Sequence, residues 1–218
     1  WLMDIEGNEK IQLTNMAAGA CQPKWSPDGA QIAFVSPCQN AQDEYPDSIL
    51  YVYSFADKSV IALLEIDDAD QKIGNFDPEW SPDGTKITYT SYRDGLLRVN
   101  VYDLDTQEIS ELTDSEYDDY HPSWHPDGQS IIFTRQNGCS TIWQVSSDGT
   151  NAEQVSKSGN VDNFQPVWSL DGRFILFAQR NAAQVPGLVR LFAGNFDSAL
   201  EDDIIFEGIT GSFPALAP

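Results

Sequence analysis

Two histidines, three cysteines and 34 acidic residues are the groups of this 218-residue chain whose types could do chemistry. Nucleophilic hydrolysis needs a Ser or Cys, a His base and an orienting carboxylate in one place. No Gly-x-Ser-x-Gly elbow occurs to present such a nucleophile. His121 and His125 have the i, i+4 spacing of a metal-binding helix face, but Pro122 lies between them and the segment reads as a strand. At about 3.3 Å per residue the two imidazoles stand roughly 13 Å apart, too far to share a zinc ion. The zinc helix motif, the phosphate-cradling Gly-rich loop and the dinucleotide fingerprint are absent as well. The expectation is a protein that is not an enzyme and needs no cofactor.

Carboxylates are the abundant group. Asp and Glu number 34 against 12 Lys and Arg, a formal charge of −22. Nucleic acids and anionic membrane surfaces need clustered cations, so neither is a partner. No apolar run approaches the roughly 20 residues of a spanning helix. With 41% hydrophobic and 11% aromatic residues the chain is not a disordered polyanion. The acids gather at Glu65, Asp67, Asp68 and Asp70, and again at Asp114, Glu116, Asp118 and Asp119. As solvated loops they need no ligand. The sharper readings are a weak Ca²⁺ site at Asp67, Asp68 and Asp70, and a surface for a basic protein or peptide at Asp118 and Asp119.

The elements that position these groups come from a repeat. Pro23-Lys-Trp25-Ser-Pro-Asp-Gly29, Pro78-Glu-Trp80-Ser-Pro-Asp-Gly84, Pro122-Ser-Trp124-His-Pro-Asp-Gly128 and Pro166-Val-Trp168-Ser-Leu-Asp-Gly172 share one pattern, and Phe213-Pro-Ala-Leu216 begins a fifth. The Trp spacings are 55, 44 and 44 residues. Each Asp-Gly is followed by a strand-length run such as Gln31–Val35 or Ser130–Thr134, rich in β-branched and aromatic residues. Two further short runs close each unit, and four strands in about 44 residues make a propeller blade. The Pro before each Trp cannot donate to a ladder, so strand one is an edge, placed against the central channel. The Trp then belongs to the core between blades.

The predicted architecture is all-β: one propeller domain or fragment over 1–218, with a half blade at 1–15, blades at 21–66, 75–113, 119–156 and 163–207, and the start of another at 212–218. The incomplete ends predict that the sequence is part of a longer protein. Connections from strand four to strand one, and from strand two to strand three, emerge at one end of the blades. The third residue before each Trp opens strand one there, so Gln22, Asp77, His121 and Gln165 form a polar ring at the channel mouth. That ring is a candidate ligand or peptide site, with Tyr45, Tyr92, Tyr117 and Tyr120 in nearby connections.

The cysteines add one constraint. If the first hairpin turns at Pro27-Asp28, residues whose numbers sum to about 56 or 57 face each other. Cys21 is then opposite Val35 or Ser36, and Cys38 lies within bridging reach given a kink at Pro37. A Cys21–Cys38 disulfide implies an oxidising compartment. Cys139 is left as a free thiol or as one that pairs outside the chain.

These motifs resemble the TolB-type β-propeller repeat, a relative of the WD-repeat, whose core reads Pro-x-Trp-Ser-Pro-Asp-Gly before an Ile-x-Phe strand. Ser91-Tyr-Arg-Asp-Gly95 resembles its Arg-Asp-Gly loop, and Gln12-Leu-Thr14 and Glu111-Leu-Thr113 its closing Leu-Thr. Leu170 replaces Pro, His125 replaces Ser and Leu216 replaces Trp. The resemblance implies six or more blades, a periplasmic or extracellular location, and a partner-binding scaffold. Two alternatives follow from it: the non-catalytic gating propeller of a prolyl oligopeptidase-type peptidase whose hydrolase domain lies outside this sequence, and a carbohydrate-active or lyase propeller. Fold alone does not choose among them.

Overall fold

The structure, a computed structural model, describes residues 1–38, 45, 47–64, 74–156, 161–181, 190–195 and 203–206, the backbone alone for 181, 190–195 and 203–206. The described residues form strands and no helix. β1 (Leu2–Met3) and β2 (Lys10–Ile11) make a two-stranded sheet. Blade one is β3 (Cys21–Trp25), β4 (Gln31–Ser36), β5 (Ile49–Ser54) and β6 (Val60–Ala62). Blade two is β7 (Gly74–Trp80), β8 (Lys86–Arg93), β9 (Leu96–Asp103) and β10 (Ile109–Glu111). Blade three is β11 (Asp118–Trp124), β12 (Ser130–Asn137), β13 (Cys139–Ser146) and β14 (Glu153–Gln154). Blade four is β15 (Val161–Trp168), β16 (Phe174–Asn181), β17 (Arg190–Asn195) and β18 (Asp203–Phe206). Each blade is an antiparallel meander in sequence order, as the repeat predicts. The expected start of another blade at 212–218 lies outside the described residues, as do Glu65, Asp67, Asp68 and Asp70.

The Ser-Pro-Asp-Gly element does more than reverse the chain. In blades one, two and four the Ser hydroxyl donates to the Asp two residues on: Ser26 to Asp28 at 2.6 Å, Ser81 to Asp83 at 2.6 Å and Ser169 to Asp171 at 2.7 Å. Each Ser oxygen in turn accepts the backbone N–H that opens strand two, from Gln31, Lys86 and Phe174. The turn glycines have φ near +70°, which a side chain rarely adopts.

The core lies between blades. Trp80 packs with Val35, Leu50 and Val52 of blade one, and its indole N–H donates to the Lys24 carbonyl at 3.1 Å. Trp124 joins Val99, Val101 and Leu112 of blade two, and Trp168 joins Ile132, Ile142 and Val155 of blade three. Each Trp therefore fills the face of the preceding blade. Trp25 departs from this pattern: it is 50% exposed and stacks on Phe55 of its own blade at 5.3 Å. The unit described before it is the two-stranded β1–β2 sheet rather than a four-stranded blade.

Candidate functional site

Strand one of every blade carries a β-bulge at the same place. The register shifts between Cys21 and Lys24, Phe76 and Glu79, Tyr120 and Ser123, and Phe164 and Val167. Within each bulge the residue before Pro has positive φ: Gln22 at 51°, Asp77 at 52°, His121 at 53° and Gln165 at 54°. None is glycine, so this strained conformation must be imposed by the surroundings. The four sequence-predicted ring residues are thus one structural position, and the structure brings them together around a cavity of about 190 Å³. Its wall also takes Lys24, Glu79, Ser123 and Val167 from the position before each Trp, with Pro78, Pro122 and Pro166 between.

Three ring members are joined directly. The Gln22 amide donates to Asp77 Oδ1 at 2.7 Å and to the Tyr45 hydroxyl at 2.9 Å, while its oxygen accepts the Asp77 N–H at 2.8 Å. His121 Nε2 stands 3.4 Å from Asp77 Oδ2. The bulge N–H of His121 donates to Thr90 Oγ1 of blade two, and that of Gln165 to Thr134 Oγ1 of blade three, both at 3.2 Å. These bonds hold the strained residues and link successive blades. At the rim, Lys24 pairs with Glu79 at 2.7 Å.

Burial pushes the Asp77 carboxyl up from 3.8, against the opposing pull of His121, Lys24, Gln22 and Thr90. Burial pushes His121 down from 6.5, opposed by Asp77 and reinforced by Lys24. Both groups are therefore drawn toward their neutral forms. On the cavity wall Lys24 and Glu79 pair with each other, and Gln22, Asp77, His121, Ser123 and Gln165 supply polar groups that can donate or accept hydrogen bonds.

Asp119 does not belong to a binding surface. It is fully buried, and Arg135 Nε and Nη2 donate to its two oxygens at 2.7 and 2.8 Å. Ser115 Oγ adds a third bond at 2.9 Å. The two residues face each other in the β11–β12 register, so the carboxylate is an internal partner of a strand-two arginine. Asp118, half-buried, accepts the Leu97 N–H of blade two at 2.9 Å, as Asp162 accepts the Ser140 N–H one blade later. These carboxylates tie adjacent blades. Asp114 and Glu116 are the exposed acids of that connection.

His125 takes the place of the turn serine. Its Nδ1 lies 2.7 Å from Asp127 Oδ1, its ring packs edge-on against Trp168 at 4.6 Å, and its Nε2 lies 3.2 Å from the Gly172 carbonyl. A Cβ at Gly172 would fall 2.6 Å from that nitrogen, which explains glycine there beyond the turn itself. The two histidines thus serve opposite ends of the blade. Cys21 and Cys38 form a disulfide with Cα atoms 5.8 Å apart, beside a cis Ser36–Pro37 bond. Cys139 is free and half-buried. The described residues hold no cluster of three or more His, Cys, Asp or Glu suited to a metal, and the Ca²⁺ candidates Asp67, Asp68 and Asp70 lie outside them.

Four-stranded meanders arranged around a bulged, polar inner strand define a β-propeller unit. The chain belongs to the TolB beta propeller domain family, whose pattern matches residues 2–218. A TolB homolog of Protochlamydia amoebophila is 50% identical over 36 residues, 16% of this chain and 8% of that protein. TolB from Acinetobacter baumannii superimposes with a TM-score of 0.73 at 18% identity, over 96% of this chain and 49% of its own. Oligogalacturonate lyase from Vibrio parahaemolyticus gives 0.69 at 15% identity, over 94% and 57%. A puromycin-hydrolyzing peptidase of Mycobacterium tuberculosis gives 0.70 at 12%, over 92% and 31%. At these identities the likeness is one of fold. The chain spans about half the length of the TolB structure and a small part of the curated relative.

Proposed function

We propose that this chain is a non-enzymatic binding module, in the bacterial envelope or outside the cell, whose channel-side cavity takes a protein segment or peptide. One observation carries the reading: four blades place the same strained, polar residue around one cavity of about 190 Å³. Strain held at one position in every blade is better accounted for by a shared task than by four separate packing needs. The cavity offers polar side chains beside three prolines, which suits a polar peptide, and the chain's net charge of −22 attracts a basic one. The Cys21–Cys38 bridge supports an oxidising compartment. The peptidase and lyase likenesses extend only to the fold and do not displace this reading.

An array of short peptides of graded charge, probed with the chain, tests it. Basic and polar peptides should bind, and Gln165→Ala or Glu79→Lys should abolish that binding while Asp148→Lys leaves it intact. Binding that survives both cavity variants and fails with Asp148→Lys would move the function to the opposite face.

A further inference from the structure

Seven residue pairs in this sequence place Asp or Asn directly before Gly: six are Asp-Gly and one, Asn137-Gly138, is Asn-Gly. Such a pair can close on itself, because glycine lacks the Cβ that shields its backbone nitrogen from the preceding side-chain carbonyl. Five of the aspartates are prevented from doing so. Asp28, Asp83, Asp127, Asp148 and Asp171 each accept the backbone N–H two residues ahead, at 2.8 to 3.2 Å. Each also faces a side-chain partner, from Ser26, Ser81, His125, Thr150 or Ser169. These bonds hold all five carboxyls below their ordinary pKa, although burial opposes them at every one and is the largest influence at Asp127. The carboxylates are therefore pinned and ionised, and an ionised carboxylate is a poor acyl group. The sixth, Asp94-Gly95, also offers a carboxyl rather than an amide.

Asn137 has none of this protection. It is exposed, and among the described residues its side-chain amide makes no hydrogen bond. It ends β12 opposite Cys139, so the hairpin reverses at Gly138 alone, which has no ladder partner. Gly138 is exposed with φ at +75°, and a Cβ built there meets no atom within 4 Å. The space around the reacting bond is open.

We propose that Asn137 is a site of spontaneous deamidation in the folded protein, giving aspartate and isoaspartate in the β12–β13 turn. The Gly138 nitrogen attacks the Asn137 Cγ. The new N–Cγ bond closes a succinimide, the Cγ–NH₂ bond breaks, and ammonia leaves with the proton from Gly138. Water then opens the ring at either carbonyl. The net change exchanges an amide NH₂ for OH, adds one negative charge on ionisation and involves no oxidant or reductant. Isoaspartate also inserts a methylene into the backbone, which breaks the Asn137–Cys139 pairing next to the half-buried thiol. This turn lies at the strand-two-to-strand-three end of blade three, the end at which blade one carries its disulfide, so the new charge arrives on the channel-mouth face.

The folded chain, incubated at physiological temperature in mildly alkaline buffer, is followed by peptide mapping with fragmentation that separates aspartate from isoaspartate. Asn137 should lose its amide at least an order of magnitude faster than Asn75, Asn100, Asn151 or Asn163. Isoaspartate should appear there and at none of the five pinned Asp-Gly turns. Asn137→Gln should remove the first acidic variant seen on isoelectric focusing. Retention of the Asn137 amide in the folded chain for as long as that of Asn100, while a urea-unfolded sample loses it, would overturn the proposal. So would earlier reaction at any other asparagine.

Discussion

The Asp119–Arg135 pair can be tested against a solution that the protein already contains. Asp119 is fully buried and the Arg135 side chain is 11% exposed, so neither charge is screened by water if its partner is removed. Blade four meets the same positions with amides: Gln179 Nε2 donates to Asn163 Oδ1 at 2.9 Å, and Asn163 is 1% exposed. Breaking one side of a buried ion pair costs about 3–5 kcal/mol because it leaves an uncompensated charge. Arg135→Gln and Asp119→Asn should each cost that much. The double variant reproduces the blade-four arrangement and strands no charge. It loses chiefly the stacking of the guanidinium on Trp143 and Phe133, at 4.3 and 5.3 Å. That loss is about 1–2 kcal/mol. Urea unfolding followed by tryptophan fluorescence gives all three values and their coupling. Single variants within about 1 kcal/mol of the parent, or a double variant as costly as the two singles summed, would refute the argument.

Three further outcomes follow from the packing. Cys21→Ser opens a loop with a sequence separation of 17 and should lower stability by about 3 kcal/mol in the same assay, an effect matched by reducing the parent. Trp80→Ala should cost about 3–5 kcal/mol by emptying the seam between blades, whereas Trp25→Ala, at a half-exposed position, should cost less than about 1 kcal/mol in this chain. In an NMR titration His121 should take up its proton below 6.5, because burial disfavours the imidazolium; Asp77→Asn should move the midpoint lower still by removing the carboxylate that favours it.

The blades were legible in the sequence because the repeat carries its own mechanics. Pro marks the inner edge, Trp the seam, and Asp-Gly the turn that fixes the register of strands one and two. That register also gave the disulfide, since Cys21 does stand opposite Val35. The same arithmetic applied to the third hairpin sets Asp119 against Arg135, an ion pair that the acidic run around Asp118 disguised as a solvated loop. The signal was the arginine sixteen residues downstream, placed directly after the apolar and hydroxyl run 130–134 of its strand. What no local pattern shows is the contact of Asp77 with Gln22 and His121. It depends on how a bulge in one blade meets its neighbours, and on non-glycine residues adopting positive φ before proline. The exposure of Trp25 was equally hidden, because its motif matches those of the buried Trp80 and Trp124.

Hydrogen–deuterium exchange of the chain with and without a basic peptide selected from the array tests the placement of the site most directly. Binding at the channel-side ring predicts slowed exchange in the inner strands, at 121–124 and 165–168, with the outer turns unchanged. Protection confined to the turn segments 126–129 and 147–150, with the inner strands unaffected, would contradict it.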